Sequence, residues 1–322
     1  QCIQESPGAG FDPMYYPEGW TLYASREVKQ AVSIPVINSH SFRNPDFCDK
    51  VLADGDTDMV GLSRQMLCDP YWALKAYLGR DDQIRRCISC LTGCWQESMM
   101  AKKEIGCAIN PACGHMEFDE MTPAANPLKV GIVGGGPAGM EAARIAASRG
   151  HHVTLFEKTG ELGGAILGCC MAPGKEKMKW YADWIRGQIR RLEVDVRLHT
   201  APTADDLRGF DIVLNATGAS SYVPDCIGAE RVVPFEEAIA CPKVTAALAG
   251  MGKEVTIVTE NKEFAASVEV IHMYVLRKRF AQTDAEALHS EPFKFPVKII
   301  ENSTVYSVEK GRVVLMDKSF QR

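Results

Sequence analysis

Apolar and polar positions along the first part of the chain follow a rhythm of short apolar runs and amphipathic stretches. Two apolar runs, Ile34–Ile37 and Asp58–Leu62, predict buried strands. Helical spacing over Leu22–Val32 and over Pro45–Ala53 predicts two helices, the second with proline in its first turn and Gly55 just past its end. This alternation predicts parallel strands with helices outside them.

A second α/β pattern begins near Lys129. The strand Val130–Val133, the alanine-rich helix Pro137–Ser148 and the strand Val153–Phe156 follow one another directly. Residues 87–115 have little regular pattern, residues 116–127 read as a linker, and residues 175–191 predict an amphipathic helix. Further strands are predicted at Val194–Leu198, Asp211–Asn215, Val255–Thr259 and Val297–Glu301, with a hairpin formed by Thr304–Lys310 and Val313–Met316.

Length and composition limit the classes of protein to which this chain can belong. The 322 residues suffice for two domains, and 46% hydrophobic with 24% charged residues is typical of a globular protein. A net charge of −5 gives no reason to expect nucleic acid as a partner. No apolar run reaches the ~18 residues that span a bilayer, and no basic–apolar leader opens the chain. Twelve cysteines in so long a chain favour reduced thiols and a cytoplasmic location over a disulfide scaffold.

The glycine-rich turn after the strand at 130–133 is the most specific motif. Gly134, Gly136 and Gly139 match G-x-G-x-x-G between a strand and a helix, and Glu157 closes the next strand. The first glycine permits a tight turn, the second lets the backbone approach a pyrophosphate, and the third lets helix pack on strand. The N-terminus of the following helix favours the negatively charged pyrophosphate, and Glu157 can accept hydrogen bonds from the hydroxyl groups of a ribose. A dinucleotide site is therefore predicted here.

Two downstream elements favour FAD over NAD at this site. The paired glycines Gly163 and Gly164 follow the second strand, and Thr217 and Gly218 end a later strand in the sequence Asn-Ala-Thr-Gly. Both elements resemble those of the FAD domain in flavoproteins with two dinucleotide domains, where they lie against the cofactor.

Four cysteines precede the linker with the spacing C-x2-C-x3-C-x12-C: Cys87, Cys90, Cys94 and Cys107. Four thiolates can bind either a [4Fe–4S] cluster or a structural zinc ion. Three closely spaced ligands with one distant partner are more typical of a cluster than of the two symmetric pairs of a zinc ribbon. Both alternatives remain open on spacing alone. Arg64, just after the strand at 58–62, lies where phosphates bind in (β/α)8 barrels, and it could equally be a solvated loop charge.

Taken in order, these motifs resemble the NADH:flavin oxidoreductase family that includes bacterial 2,4-dienoyl-CoA reductase, 2-enoate reductase and trimethylamine dehydrogenase. The resemblance covers nearly the whole chain. It is carried by Ile34–Ile37, Asp54-Gly55, Asp58–Val60, Arg64-Gln65, Asp69-Pro70, Ile84–Cys90, Cys94, Cys107, Asn110-Pro111 and the glycine turn.

The resemblance implies an α/β chain in three parts. Residues 1–86 would be the C-terminal part of an FMN-binding TIM barrel, residues 87–127 the iron–sulfur segment and linker, and residues 128–322 an FAD domain with an incomplete NAD(P)-binding insert. The chain would then be a piece of a longer protein, with the earlier barrel strands and the catalytic acid outside it. A homo-oligomer is compatible with this arrangement.

The resemblance also assigns roles to residues. The four cysteines would bind a [4Fe–4S] cluster, the glycine turn with Glu157 would bind FAD, and Arg64 would bind the FMN phosphate. Electrons would pass from NAD(P)H through FAD and the cluster to FMN, and on to the C=C bond of a small α,β-unsaturated carbonyl or enoate substrate.

Two features depart from the family pattern. His40 and Ser63 occupy phosphate-binding turns where the family usually has glycine, and no second glycine fingerprint precedes the strand at 255–259, although Glu260 follows it. The first departure bears on FMN binding, and without a second glycine turn the binding of NAD(P)H in the usual pose is doubtful. Two alternatives follow: an electron-transfer subunit resembling the small subunit of glutamate synthase, or a degenerate relative without catalytic activity.

Overall fold

The computed structural model describes residues 12–115, 122–171, 174–220, 230, 256–258, 298–301, 303–309 and 312–317. The helices are α1 (Leu22–Ala31), α2 (Pro45–Ala53), α3 (Arg64–Cys68), α4 (Trp72–Tyr77), α5 (Pro137–Ser148), α6 (Ala165–Cys169) and α7 (Met178–Arg191). The strands are β1 (Ile37–Asn38), β2 (Met59–Val60), β3 (Lys129–Val133), β4 (His152–Phe156), β5 (Asp195–Arg197), β6 (Ile212–Asn215), β7 (Thr256–Val258), β8 (Lys298–Ile300), β9 (Ser303–Glu309) and β10 (Arg312–Asp317).

The first part of the chain forms a parallel strand pair with helices around it. β1 and β2 pair in parallel, as the alternating pattern predicted. Both strands are shorter than expected, and β1 begins at Ile37 rather than Ile34. Pro35 cannot donate a backbone hydrogen bond, and the N–H of Val36 is bonded to the carboxylate of Asp58 at 2.8 Å. Ile34 is consequently 70% exposed.

The cysteine segment contains one helix that periodicity did not predict. Thr92–Met100 is wound with π-type hydrogen bonds, from residue i to residue i+5. The left-handed residue Leu91, with φ of 59°, precedes the helix, and Ser89 has φ of 55°. The loop that contains Cys87 and Cys90 is therefore tightly bent.

The glycine turn lies on a four-stranded parallel sheet. The strand order is β5-β4-β3-β6, so that the chain adds strands on one side of β3 and then crosses to the other. In such sheets ligands bind at the carboxyl ends of the strands where the order reverses. That point is the end of β3, where the turn begins. The sheet therefore predicts the ligand site at the same place as the sequence motif.

A hydrophobic cluster joins the segment before the cysteines, the cysteine segment and the four-stranded sheet. Met14 and Cys87 pack in the same buried cluster as Ile132 and Ile185. The indole N–H of Trp184 on α7 donates to the carbonyl of Gln83 at 3.0 Å. The three segments thus meet in this cluster, while α1, α2 and α4 pack around a second one that includes Phe42, Val51 and Trp72.

The rest of the chain is described only as short strands. β7 pairs with β8 in parallel, and β9 pairs with β10 as the predicted hairpin. Residues 232–252, where a second nucleotide loop was sought, and Glu260 lie outside the described residues. Among the residues described, we find no helix with the length and apolar character needed to cross a membrane.

Candidate flavin and metal site

The turn between β3 and α5 is built from glycines that leave no room for side chains. Gly134 has φ of +109°, a conformation that favours glycine, and a Cβ there would overlap the carbonyl of Ala216 at the end of β6. A Cβ on Gly139 would overlap the carbonyl of Gly134, so helix and turn are in direct backbone contact. Both glycines therefore have the structural roles that the motif predicted.

Gly136 differs from these two because its surroundings are open. It precedes α5 with extended backbone angles, and a Cβ built on it would meet no atom within 4 Å. The open space lies at the N-terminus of the twelve-residue helix α5, which attracts anions. A side chain at this position would occupy the volume that the motif reserves for a pyrophosphate.

The second glycine pair closes over this turn. The N–H of Gly163 donates to the carbonyl of Gly135 at 2.8 Å. Gly164 has φ of +53° and ψ of −140°, and a Cβ there would lie 3.0 Å from the Cα of Gly136. The sequence predicted both residues near the cofactor, and the structure places them against the first glycine turn.

Glu157 stands at the end of β4 and is only 7% exposed. One carboxylate oxygen accepts the N–H of Gly135 at 2.7 Å, and the other accepts the N–H and hydroxyl of Thr159 at 2.8 and 2.9 Å. Burial opposes ionisation, but the hydrogen bonds from the Thr159 and Gly135 N–H groups outweigh it, so the pKa of Glu157 is lowered. The carboxylate is anionic and fixed beside the turn.

The end of β6 completes this side of the site. The side-chain oxygen of Asn215 accepts the hydroxyl of Thr217 at 2.8 Å, which shapes the turn that leads to Gly218 at φ of +80°. The N–H of Ala216 donates to the carbonyl of Val133 at 2.8 Å. Thr217 and Gly218 are exposed at the same sheet edge as the glycine turn.

The four predicted cysteine ligands line one small cavity. Cys87, Cys90, Cys94 and Cys107 all border it, together with other residues that include Arg64 and Ser89. All four thiols are free. Within the described ranges, no three His, Cys, Asp or Glu side chains lie close enough to hold a single metal ion. The structure thus brings the four cysteines together without arranging them around one ion.

The thiols of this cavity have shifted pKa values. Burial raises the pKa of Cys94 to about 12 and also raises that of Cys90. A hydrogen bond from Cys68, together with the N–H groups of Ile109 and Asn110, lowers the pKa of Cys107 to about 6. Metal binding would displace protons from the buried thiols, because the ligand form of cysteine is the thiolate.

Arg64 lies at the edge of the cysteine cavity, where it is bound to an acidic residue. Its guanidinium donates to the carboxylate of Asp12 at 2.7 Å, and Asp12 is 1% exposed. The imidazole of His40 lies 3.1 Å from the same carboxylate. Burial raises the pKa of Asp12, but the hydrogen bond with His40 and the charge of Arg64 together lower it by more, so the net shift is downward. A role for Arg64 in phosphate binding stays a prediction.

Three residues near the cavity were not singled out by sequence reasoning. The carboxylate of Asp12 accepts from Arg64, the free thiol of Cys68 is hydrogen-bonded to Cys107, and Arg43 donates to the carbonyl of Cys87. None belongs to a local motif, since each partner lies far away in the sequence. Only the fold brings them to the site.

Comparison with known proteins shows the class of the chain. The FAD dependent oxidoreductase family matches residues 129–279. NADH oxidase of Thermoanaerobacter brockii is 39% identical over 236 residues, which cover 72% of this chain and 36% of that protein. Cinnamate reductase of Clostridium sporogenes is 36% identical over 229 residues, which cover 70% of this chain and 34% of that protein.

The chain belongs to the NADH:flavin oxidoreductase-like family. This is an enzyme family of flavin-dependent oxidoreductases, as the motif order indicated. A solved complex of 2-naphthoyl-CoA reductase with 2-naphthoyl-CoA superimposes with a TM-score of 0.84 at 25% identity, over 96% of this chain and 48% of that one. The matched residues span about a third of the length of each of the two curated relatives.

The glycine turn fits the flavin dinucleotide of this oxidoreductase family. Open space over Gly136, close backbone contacts at Gly134 and Gly139, and an ionised Glu157 are the features that such a cofactor requires. The donor set of the cavity, four cysteine thiols and no other ligand type, fits a thiolate-bound metal group.

Proposed function

We propose that this chain is the electron-transferring part of an enoate reductase of the NADH:flavin oxidoreductase-like family. When bound, FAD, a [4Fe–4S] cluster and FMN supply the chemistry that carries electrons from NAD(P)H to the C=C bond of an α,β-unsaturated carbonyl or enoate. The names of two similar proteins, cinnamate reductase and 2-naphthoyl-CoA reductase, support an activated unsaturated substrate.

The convergence of the four cysteines on one cavity carries this proposal. Four thiolates can bind either a structural zinc ion or a [4Fe–4S] cluster. Three closely spaced ligands with one distant partner, C-x2-C-x3-C-x12-C, are more typical of a cluster than of the two symmetric pairs of a zinc ribbon. This spacing, together with the shared cavity, supports the cluster over zinc.

The residues of the chain would hold these groups in distinct ways. The turn from Gly134 to Gly139 and the N-terminus of α5 would bind the FAD pyrophosphate, and Glu157 would accept from its ribose. Arg64 would contact the FMN phosphate. We assign no catalytic acid in this chain.

The parallel pair β1–β2 supports this function over the first alternative. A glutamate synthase-like small subunit would not have barrel-type βα units before the cysteines, and here α1, β1, α2 and β2 precede them in that order. The second alternative, a degenerate protein, rests on the missing second glycine turn. Residues 232–252, where that turn would lie, are outside the described residues.

An anaerobic reduction assay tests the proposal. Purified protein is mixed with NADH or NADPH while flavin absorbance is followed, and cinnamate or an enoyl thioester is then added. We expect bleaching of the flavin followed by reoxidation with stoichiometric loss of the substrate double bond. Flavin absorbance that NADH and NADPH both leave unchanged would support the degenerate alternative. Bleaching without turnover of any enoate would support the electron-transfer subunit.

A further inference from the structure

Arg43 is a buried arginine beside the cysteine cavity. It lies in the loop between β1 and α2 and is 2% exposed. Its Nε donates to the carbonyl of Cys87 at 2.7 Å, and its Nη2 donates to the hydroxyl of Ser89. Its own carbonyl accepts the indole N–H of Trp72 at 2.8 Å, which fixes the loop from behind.

The positive charge of Arg43 lacks a carboxylate partner among the described residues. Its Nη1 is buried and has no hydrogen-bond partner. The nearby carboxylates are engaged elsewhere: Asp12 binds Arg64 and His40, and Glu18 accepts the N–H of Asn44. An unpaired buried cation is costly, and a guanidinium cannot relieve the cost by losing its proton.

A second buried basic side chain lies close to Arg43. Lys177 enters from the start of α7, is 7% exposed and donates to the carbonyl of Tyr16. Burial, and next the positive charge of Arg43, lower the pKa of Lys177 to about 7. The Trp180 ring, 5.7 Å from its ammonium nitrogen, gives only a weak cation–π contact. A pKa of about 7 leaves Lys177 only partly charged at neutral pH, so Arg43 is the cation that stays charged beside Cys87.

The loop held by Arg43 is the one that presents the first two cysteines. Ser89 and Leu91 have left-handed backbone angles, with φ of 55° and 59°, which cost free energy in residues other than glycine. The N–H of Ser89 points at the sulfur of Cys87 at 3.4 Å. Something outside the loop must stabilise this shape, and the two donations from Arg43 do so.

We propose that Arg43 is a positioning residue for the metal group of the cysteine cavity. Its guanidinium holds the Cys87–Leu91 loop so that the thiolates converge, and its charge offsets the negative charge of the four thiolates. The inference rests on the cluster proposed above. A thiolate-bound [4Fe–4S] group has a net negative charge, and a neighbouring cation raises its reduction potential.

Two substitutions separate the two contributions of Arg43. Arg43→Lys keeps the positive charge but loses the forked donation to Cys87 and Ser89. Arg43→Gln removes the positive charge and also shortens the side chain that extends to Cys87 and Ser89. Arg208→Gln is a matched control, since Arg208 is exposed and pairs with the exposed carboxylate of Asp205. Each variant is purified anaerobically as the whole protein, and iron, sulfide, FAD and FMN are measured per chain. The reduction potential of the cluster that remains is then measured by redox titration followed by electron paramagnetic resonance.

We expect the control to match the wild type in every measurement. Both Arg43 variants should contain less iron per chain with FAD content unchanged, which also shows that they are folded. The remaining cluster should have a more negative potential in Arg43→Gln and a nearly unchanged one in Arg43→Lys.

If Arg43→Gln keeps the wild-type iron content and the wild-type reduction potential of the cluster, the inference is overturned and the proposed function stays intact. Loss of FMN with an unchanged cluster would also overturn it, because the anion opposite Arg43 would then be a phosphate. A wild-type protein without iron would overturn the cluster itself.

Discussion

Replacing Gly136 by alanine separates cofactor binding from folding at the glycine turn. In the structure a Cβ at this position meets no atom within 4 Å, and φ is −75°, which alanine adopts freely. The same Cβ would project into the space that we assign to the FAD pyrophosphate. We therefore expect Gly136→Ala to weaken FAD binding while the protein stays folded.

The expected magnitudes follow from these surroundings. Alanine is a poorer residue than glycine before a helix, which costs about 0.5–1 kcal/mol, but it lowers the entropy of the unfolded chain, which contributes about 0.4–1 kcal/mol of stability. These terms offset each other, so the free energy of unfolding should change by less than about 1 kcal/mol. Crowding the cofactor by one methyl group should cost about 1–3 kcal/mol, or about 5- to 150-fold in the Kd for FAD.

The assay is a titration of FAD into flavin-stripped protein, followed by flavin fluorescence, with urea unfolding measured in parallel. Gly187→Ala is the matched control. Gly187 lies inside α7 and a Cβ on it also meets no atom within 4 Å, but it belongs to neither glycine turn. The control should bind FAD normally and gain about 0.5–1 kcal/mol of stability. Wild-type FAD affinity in Gly136→Ala would refute the assignment of the pyrophosphate to this turn.

Three further substitutions test other parts of the account. Gly139→Ala should lower the free energy of unfolding by about 1–3 kcal/mol or more in urea melts, because its Cβ would overlap the Gly134 carbonyl; unchanged stability would contradict the turn geometry. Glu157→Gln should weaken FAD binding and flatten the acid limb of stability against pH. The folded pKa of Glu157 is lowered, so its contribution is complete above the ordinary value of 4.5 and is lost as pH falls through the folded value; an acid limb identical to that of the wild type would count against this. Cys94→Ser should lower iron content and leave FAD content unchanged, and full iron loading by elemental analysis would exclude Cys94 as a ligand.

Helices with clear end signals could be predicted to the residue. Pro45 in the first turn and Gly55 beyond the end placed α2 correctly, and the glycine turn with Pro137 placed α5. These signals are local, because each depends on backbone geometry within a few residues. The helix at 92–100 was missed for a physical reason: its π-type winding does not produce the 3.6-residue apolar period that reveals an α-helix.

The candidate site could be predicted only as far as its motifs extend. The glycines, Glu157 and the four cysteines were all identified because their chemistry requires fixed residue types at fixed spacing. Arg43 and Asp12 could not be found in this way. Their partners Cys87 and Arg64 lie 44 and 52 residues away, and the sequence between them does not reveal that the loops meet.

The metal and flavin content of a single preparation tests the central claim most directly. Protein purified without oxygen is analysed for iron, acid-labile sulfide, zinc and FAD per chain. The account predicts four irons, four sulfides and one FAD per chain, with no stoichiometric zinc. One zinc per chain without iron, or a preparation that contains no FAD, would contradict it.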